Sequence, residues 1–338
     1  MSRYIVKRIL MFIPVIFAVA LFTFVLMRMI PGGPFDRVGD KSLPPDVVAN
    51  MERRFHLDWP VWKQFVSYMI GDDMFDGGGM TKGVLRGDFG PSLIFRGRDV
   101  GDIIATTLPT SVQLGILSII LALVIGIPAG IVSAVNQNTW MDYASTFGSV
   151  FFISIPNLVL APFMIWLFSL RLGWFPVAGW GSRPPFVLGF LPQFSQLGAD
   201  FWLHAAMPVF ALGTGASAGI TRLTRASLLQ VIREDYIRTA RSKGVKERAV
   251  IVMHALKNSL IPVMTILGPM LATLLTGTFI VEQFFGINGM GSHFVQSIGN
   301  RDYQIITGVT LVFAAALVAA NLMIDITYAW LDPRIRFD

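Results

Sequence analysis

The chain has 338 residues, 54% of them hydrophobic and 14% charged, where soluble domains average roughly 25% charged. That composition excludes a soluble globular class and indicates a multi-spanning membrane protein. The net charge of +6 does not imply nucleic-acid binding, because Arg222–Lys257 alone holds nine Lys and Arg against three acids, the whole of the excess. Basic loops in such chains set topology first. With no cysteine, a disulfide framework, a thiol nucleophile and a Cys metal site are all excluded.

Met1–Arg8 carries Arg3, Lys7 and Arg8, and the 19 residues Ile9–Met27 are free of charge. At about 1.5 Å per residue that run nearly crosses a ~30 Å hydrocarbon core. It predicts a retained first helix within residues 1–30, although Ala18-Val19-Ala20 mimics a signal-peptidase site. Residues 31–102 are mixed, with nine basic and eleven acidic residues. IPGGPF (Ile30–Phe35) ends the first helix by proline and glycine punctuation. Pro45–Leu57 and Pro60–Ile70 space their apolar residues as helices do, while Asp76–Gly79 and GDFGPS (Gly87–Ser92) read as irregular. The expectation is a small helical domain outside the bilayer.

Residues 103–330 read as a membrane core of five further helices. Ile103–Met141 contains no charge and is too long for one perpendicular span, so part is lead-in loop or tilt. Thr106–Thr110 opens the second helix, with its core at Val112–Val135. After the polar turn Asn136–Asp142, Tyr143–Leu170 is the third span, interrupted at Pro156-Asn157 and Pro162. Pro184–Ala199 is short and proline-bearing, an interfacial or re-entrant segment. Phe201–Thr221, Asn258–Val281 and Tyr303–Ile324 are the fourth to sixth spans, with a glycine-bearing loop at Glu282–Asp302 and a basic tail at 331–338. Six spans put both termini and Arg222–Lys257 together on the positive, cytosolic side, and leave 31–102 outside. Seven would break that consistency.

Catalytic chemistry has little support. His56, His204, His254 and His293 lie in different segments, and no HExxH, GxSxG or GxxxxGK[ST] motif occurs. A membrane enzyme using His204 or His293 with Asp325 would need widely separated groups to meet. A charge at a span centre costs ~2.5–3.5 kcal/mol on insertion scales. Only Asp325 intrudes on the spans, so the mid-membrane carboxylate of a stand-alone ion-coupled carrier is missing. The polar content is neutral instead. Thr214, Ser217, Thr265, Thr273 and Thr276 are candidates for a wetted translocation path, with helix–helix hydrogen bonding as the competing role. Gly126-x3-Gly130 and Gly215-x3-Gly219 read as close-packing sites. If transport is active, its energy must enter from another protein.

That returns attention to Arg222–Lys257. Leu228, Leu229, Ile232, Tyr236, Ile237 and Ala240 recur at helical spacing, and Glu234 with Arg238 makes an i,i+4 pair. Gly244 suits the left-handed position that ends a helix. A second helix follows over Lys246–Leu256, with the apolar run Ala249–Met253. Topology accounts for the charge, but a helix–glycine–helix knob with one apolar face points to docking.

DYIRTARSKG (Asp235–Gly244) followed by HALKNSLIP (His254–Pro262) resembles the cytosolic loop of ABC importer permeases, whose general pattern is E-A-A-x3-G-x9-I-x-L-P. Ala240, Gly244 and Leu256 match it. Arg238 and Thr239 stand for its glutamate and first alanine, and His254 and Lys257 for its isoleucine and proline. KRILMFIPV, MRMIPGGPF, LPPDVVANMERRFHL, GDFGPS, TLPTSVQLG, QNTWMDY, GINGMGSHF, NRDY and LDPRIRF extend the resemblance over nearly the whole chain. It is to the B-type permease subunit of oligopeptide importers, in the oligopeptide, dipeptide and nickel permease family. LPPDVVANMERRFHLDWP favours the oligopeptide members, and no ligand cluster for nickel lines the spans.

The resemblance implies an all-α integral inner-membrane protein of the type I ABC importer kind, with six transmembrane helices and a small helical extracytoplasmic domain after the first. It implies a homologous second permease, two ABC ATPase subunits, an extracytoplasmic peptide-binding protein, and peptide as cargo. ATP and Mg would act in the ATPases, with no cofactor or metal in this chain. Asp235, Tyr236, Arg238, Thr239, Ala240, Arg241, Gly244, His254 and Lys257 would be the ATPase-coupling residues.

Overall fold

The computed structural model describes residues 2–35, 44–76, 81–95, 97–181, 186–187, 191–192 and 198–331. The tail beyond 331, most of 182–197 and the glycines of 77–79 lie outside the described residues. Helix α1 (Ser2–Met29) is followed by α2 (Pro45–Arg54), α3 (Val61–Ile70) and the short α4 (Asp73–Asp76). Pro45 in the first turn of α2 and Pro60 just before α3 preset the backbone where each helix starts. Next come α5 (Val100–Val135), α6 (Trp140–Ser154), and α7 (Asn157–Met164), which runs into a π turn at Ile165–Arg171. Strands β1 (Phe186–Val187) and β2 (Leu191–Pro192) pair antiparallel as a minimal hairpin. The rest is helical: α8 (Ala199–Val231), α9 (Asp235–Ser242), α10 (Glu247–Ala249), a π turn at Val250–Ala255, α11 (Leu256–Ser259), α12 (Ile261–Phe284), α13 (Met290–Asn300) and α14 (Tyr303–Leu331).

Among the described residues, four helices are long and apolar enough to cross a bilayer: Leu10–Met29, Val100–Val135, Ala199–Val231 and Tyr303–Met323. Six crossings result if each of two bent pairs counts once, Trp140–Ser154 with Asn157–Arg171 at 95° and Glu247–Ser259 with Ile261–Leu271 at 50°. The third predicted span is thus two arms, broken where Ile155 turns extended before Pro156. Pro162 sits inside α7 and does not interrupt it. Of the lead-in loop and the tilt offered for the long uncharged run, the loop is not found, since one helix covers Val100–Val135. Helix α5 opens at Val100, ahead of Thr106, with Asp102 in its first turn, where the helix dipole favours an acid. Its 36 residues extend about 54 Å. Helix α8 likewise runs past Thr221 to Val231, since nothing in RLTRASLLQV breaks a helix.

The chain packs as two compact units. One joins Met1–Pro109 with Asn288–Ala319. Within it, the segment after α1 is helical, as expected, and packs back on that helix. Phe65 and Tyr68 of α3 pack on Phe24 of α1, and Arg28 Nε donates to Gln64 Oε1 at 2.7 Å. A ten-residue helix as apolar as VWKQFVSYMI cannot bury its own face, so it lies along α1. IPGGPF, GDFGPS and NRDY meet in this unit. Ser92 Oγ donates to Asp302 Oδ2 at 2.5 Å, and Tyr303 Oη donates to the Gly32 carbonyl at 3.2 Å.

The other unit joins Thr110–Ile287 with Ala320–Ile335. Its core gathers Leu114, Leu160, Phe201, Leu212, Val281 and Phe285. Helices α5 and α8 touch backbone to backbone: a Cβ on Gly126 or Gly130 would fall 2.7 or 2.6 Å from Ile220 or Thr224. Gly126-x3-Gly130 is therefore a packing site. Gly215-x3-Gly219 is not, because no atom lies within 4 Å of a Cβ on Gly215 and only Met270 reaches one on Gly219.

Two acids flank the predicted third and fifth spans without lying inside them. Asp142 on α6 and Glu282 on α12 are buried, and Ser111 Oγ donates to Glu282 Oε1 at 2.6 Å. Both acids sit at helix ends, where sequence reads loop. The side chain of Asp325 lies outside the described residues.

A candidate docking element at residues 222–259

Helix α8 ends by tightening. Arg233 and Glu234 amides donate three residues back, to Gln230 and Val231 carbonyls, and Glu234 then turns extended as the N-cap of α9. The predicted apolar stripe is therefore divided between two helices. Ile237 is the fully buried residue of α9. It sits in a cluster with Ala134 of α5, Leu228 of α8, and Val250 and Ala255 of the second arm, flanked by Ala240 and Val245. Burying such a side chain contributes about 1.5–3 kcal/mol, which anchors a helix too short to stand alone.

The predicted Glu234–Arg238 pair does not form. Glu234 is not in the helix, and Arg238 Nη1 instead meets Asp235 Oδ1 at 3.2 Å. Both side chains are more than two-thirds exposed, so the pair contributes little. The helix stop is as expected: Gly244 has φ +74°, and its amide donates to the Arg241 carbonyl at 2.9 Å. Arg241 forks onto Glu247 at 2.6 and 3.1 Å, closing the glycine turn. At the other end, Asn258 Nδ2 donates to Tyr236 Oη at 2.9 Å. The two arms are thus tied on both sides of the turn.

The second arm runs through Glu247–Ser259, with a π turn in place of the predicted plain helix. Val250, Ile251 and Ala255 face inward, whereas Val252, Met253, His254 and Lys257 are exposed. Of the nine residues expected to couple, Asp235, Tyr236, Arg238, Thr239, Arg241, Gly244, His254 and Lys257 are exposed on this element, and Ala240 is half-buried beneath them.

Its floor contains a group that sequence reasoning missed. Arg225 of α8 forks onto Asp142 of α6, Nε to Oδ1 and Nη2 to Oδ2, both at 2.7 Å. Ser133 Oγ of α5 also donates to Asp142 Oδ1, and the Asn138 amide donates to Oδ2 at 2.9 Å. Asp142 is 3% exposed. Nothing local in the sequence connects groups 83 residues apart.

The path candidates are placed differently. Thr214 and Ser217 are buried, and their hydroxyls donate at 2.7 Å to the Phe210 and Thr214 carbonyls of their own helix. Thr265 is exposed and donates to the Ile261 carbonyl at 3.1 Å. Thr273 and Thr276 lie on α12, with side chains outside the described residues. A cavity of about 420 Å³ is lined by residues of α7, α8 and α12 that include Asn157, Gly215, Ala216, Pro269 and Leu274. Among the described residues no group of three or more His, Asp or Glu could hold a metal.

Residues 126–337 match the family model described as binding-protein-dependent transport system inner membrane component, and residues 1–115 match its N-terminal companion. The chain is 34% identical to the oligopeptide transport system permease protein OppB of Haemophilus influenzae, over 100% of both chains. It is 37% identical to the dipeptide transport system permease protein DppB of Bacillus subtilis, over 99% of this chain and 98% of that one. In fold it is similar to an inward-facing structure of the MetNI methionine ABC transporter. The TM-score is 0.55 at 16% identity, over 68% of this chain and 96% of that one. The chain therefore belongs to the inner-membrane component family of binding-protein-dependent transport systems, on the branch of the B-type oligopeptide and dipeptide permeases.

Proposed function

We propose that this chain is the permease subunit of an ATP-driven peptide importer. It forms half of the translocation path together with a homologous second permease, and it carries no ATP site of its own. A separate peptide-binding protein delivers cargo outside, both termini are cytosolic, and two ABC ATPase subunits drive the cycle with ATP and Mg. Relatives named for oligopeptides and for dipeptides match at 34% and 37% identity, so peptide is the substrate class and its length is set elsewhere.

The observation that carries the reading is the construction of residues 235–259. Helix α9 is held from below by buried Ile237 and clipped at both ends by Arg241–Glu247 and Tyr236–Asn258. The outer surface of both arms is left exposed, with Met253 of the second arm 71% accessible and His254 and Lys257 exposed near it in sequence. A loop that only set topology would need charge and no such framework. Docking a rigid element avoids the cost of ordering it on contact.

The absence of cysteine permits a clean test. Thr239→Cys, carrying a photoactivated cross-linker, should capture an ATPase subunit in the assembled transporter and stop peptide uptake once cross-linked. Capture of lipid alone, or uptake undiminished after complete cross-linking, would refute the docking assignment.

A further inference from the structure

We propose that Asp142 and Arg225 are positioning residues, through which force on α9 reaches α6 and the bend beyond it. The inference rests on reading α9 as the ATPase dock. The fork between Arg225 and Asp142 is bidentate and Asp142 is buried, so it fixes orientation as well as distance. Ser133 and the Asn138 amide hold the same carboxylate. Four donors from the end of α5, the turn after it and α8 thus converge on the first turn of α6.

This polar node abuts the seat of α9. Ala134 follows Ser133 in sequence, Leu228 lies one turn beyond Arg225, and both pack against Ile237. Helices α5 and α8 are in close contact, because Gly126 and Gly130 leave no room for a Cβ between them. A push on Ile237 therefore arrives at Arg225, and from there at Asp142. The far end of α6 is the 95° break at Ile155-Pro156. Beyond that break Asn157 opens α7 and lines the 420 Å³ cavity. The line from dock to cavity is contiguous within one unit.

Stability alone does not call for an ion pair here, since an apolar pair of similar volume often holds a buried site as well or better. What an apolar pair cannot supply is the directional fork. That difference gives the test.

The complete transporter, with second permease, ATPases and binding protein, is reconstituted in proteoliposomes. ATP hydrolysed per peptide moved is measured for Asp142→Asn, for Arg225→Lys and for the two combined. Each single change should raise that ratio about fivefold or more, and the combination should be no worse than the worse single change. The apolar pair Asp142→Leu with Arg225→Met should regain thermal stability while the ratio stays high. A normal ratio in Arg225→Lys, or its restoration by the apolar pair, would reduce the node to packing and overturn the proposal. Loss of assembly in every variant would do the same. If substitutions in α9 also leave the ratio normal, the docking reading itself fails. If they raise it while Asp142 and Arg225 variants do not, only the present inference fails.

Discussion

Replacing Gly244 probes the docking element where backbone conformation alone decides the outcome. Gly244 sits at φ +74°, and a Cβ built on it has no heavy atom within 4 Å. Side-chain size is therefore irrelevant at this point, and the cost of substitution is the left-handed backbone itself. For alanine that cost is ~1–2 kcal/mol. Asparagine tolerates the region better, and a β-branched residue tolerates it worst. Helix α9 is eight residues long and is fixed below by Ile237. A loss of about 1–2 kcal/mol then lowers the fraction of properly closed turns by about 5- to 30-fold relative to the alternatives. In proteoliposomes holding the complete transporter, ATP hydrolysed per peptide should rise in the order Gly, Asn, Ala, Val. Asparagine is larger than alanine, so the series separates conformation from volume. A ranking by volume, with Gly244→Asn worse than Gly244→Ala, would refute the reasoning.

Two further changes test the frame. Gly130→Ala should cost about 1–3 kcal/mol by overpacking, because its Cβ would fall 2.7 Å from the Thr221 carbonyl oxygen, a backbone atom that cannot swing away. Gly215→Ala meets nothing within 4 Å and should melt like the parent in detergent, while narrowing the cavity it lines. Asp302 gives a pH dependence. Burial pushes its carboxyl up from 3.8, against the donors Ser92 Oγ and the Ile94 and Ile305 amides. A folded-state pKa above the unfolded one means a contribution fully present below about 3.8 and lost as pH rises through the raised value. Melting of the 1–109 unit should therefore ease across that window. Asp302→Asn should flatten the slope and cost about 1–3 kcal/mol, since one acceptor oxygen becomes a donor facing donors. Parallel pH profiles for the two proteins would contradict this.

The spans and the knob are largely legible in the sequence because their signals are local. Charge-free length marks α1, α5 and α14, and the stop at Gly244 follows from one residue's backbone freedom. The misreadings have a common cause. The charge beginning at Arg222 marks where a membrane segment should end, but a helix does not stop at water, and α8 continues to Val231. The i,i+4 spacing of Glu234 and Arg238 presumes one helix through both, and Glu234 is instead the extended N-cap of α9. Pairings across distance carry no local signal at all. Arg225 and Asp142 are 83 residues apart, and Ser111 and Glu282 are 171 apart. Each reads alone as an ordinary loop or span residue.

Those buried acids bear on the choice between a driven permease and a carrier working alone. Composition offers no mid-span carboxylate, and Asp142 and Glu282 are buried in the end turns of their helices. The geometry supplies a second argument against ion coupling. An exchanging carboxylate needs a route to the cargo or its ion, and neither acid is among the residues lining the cavity at Asn157 and Gly215. Asp142 is occupied by four donor atoms, two of them the fork of one guanidinium, an arrangement suited to holding helices in register. What remains unexplained by a lone carrier is the element at 235–259. It is rigid, tied at both ends, and leaves Tyr236, Val252 and Met253 exposed beyond the end of a spanning helix. Exposed apolar side chains on a preorganised frame are expected where another protein binds. Under the function proposed above, that protein is the ATPase subunit.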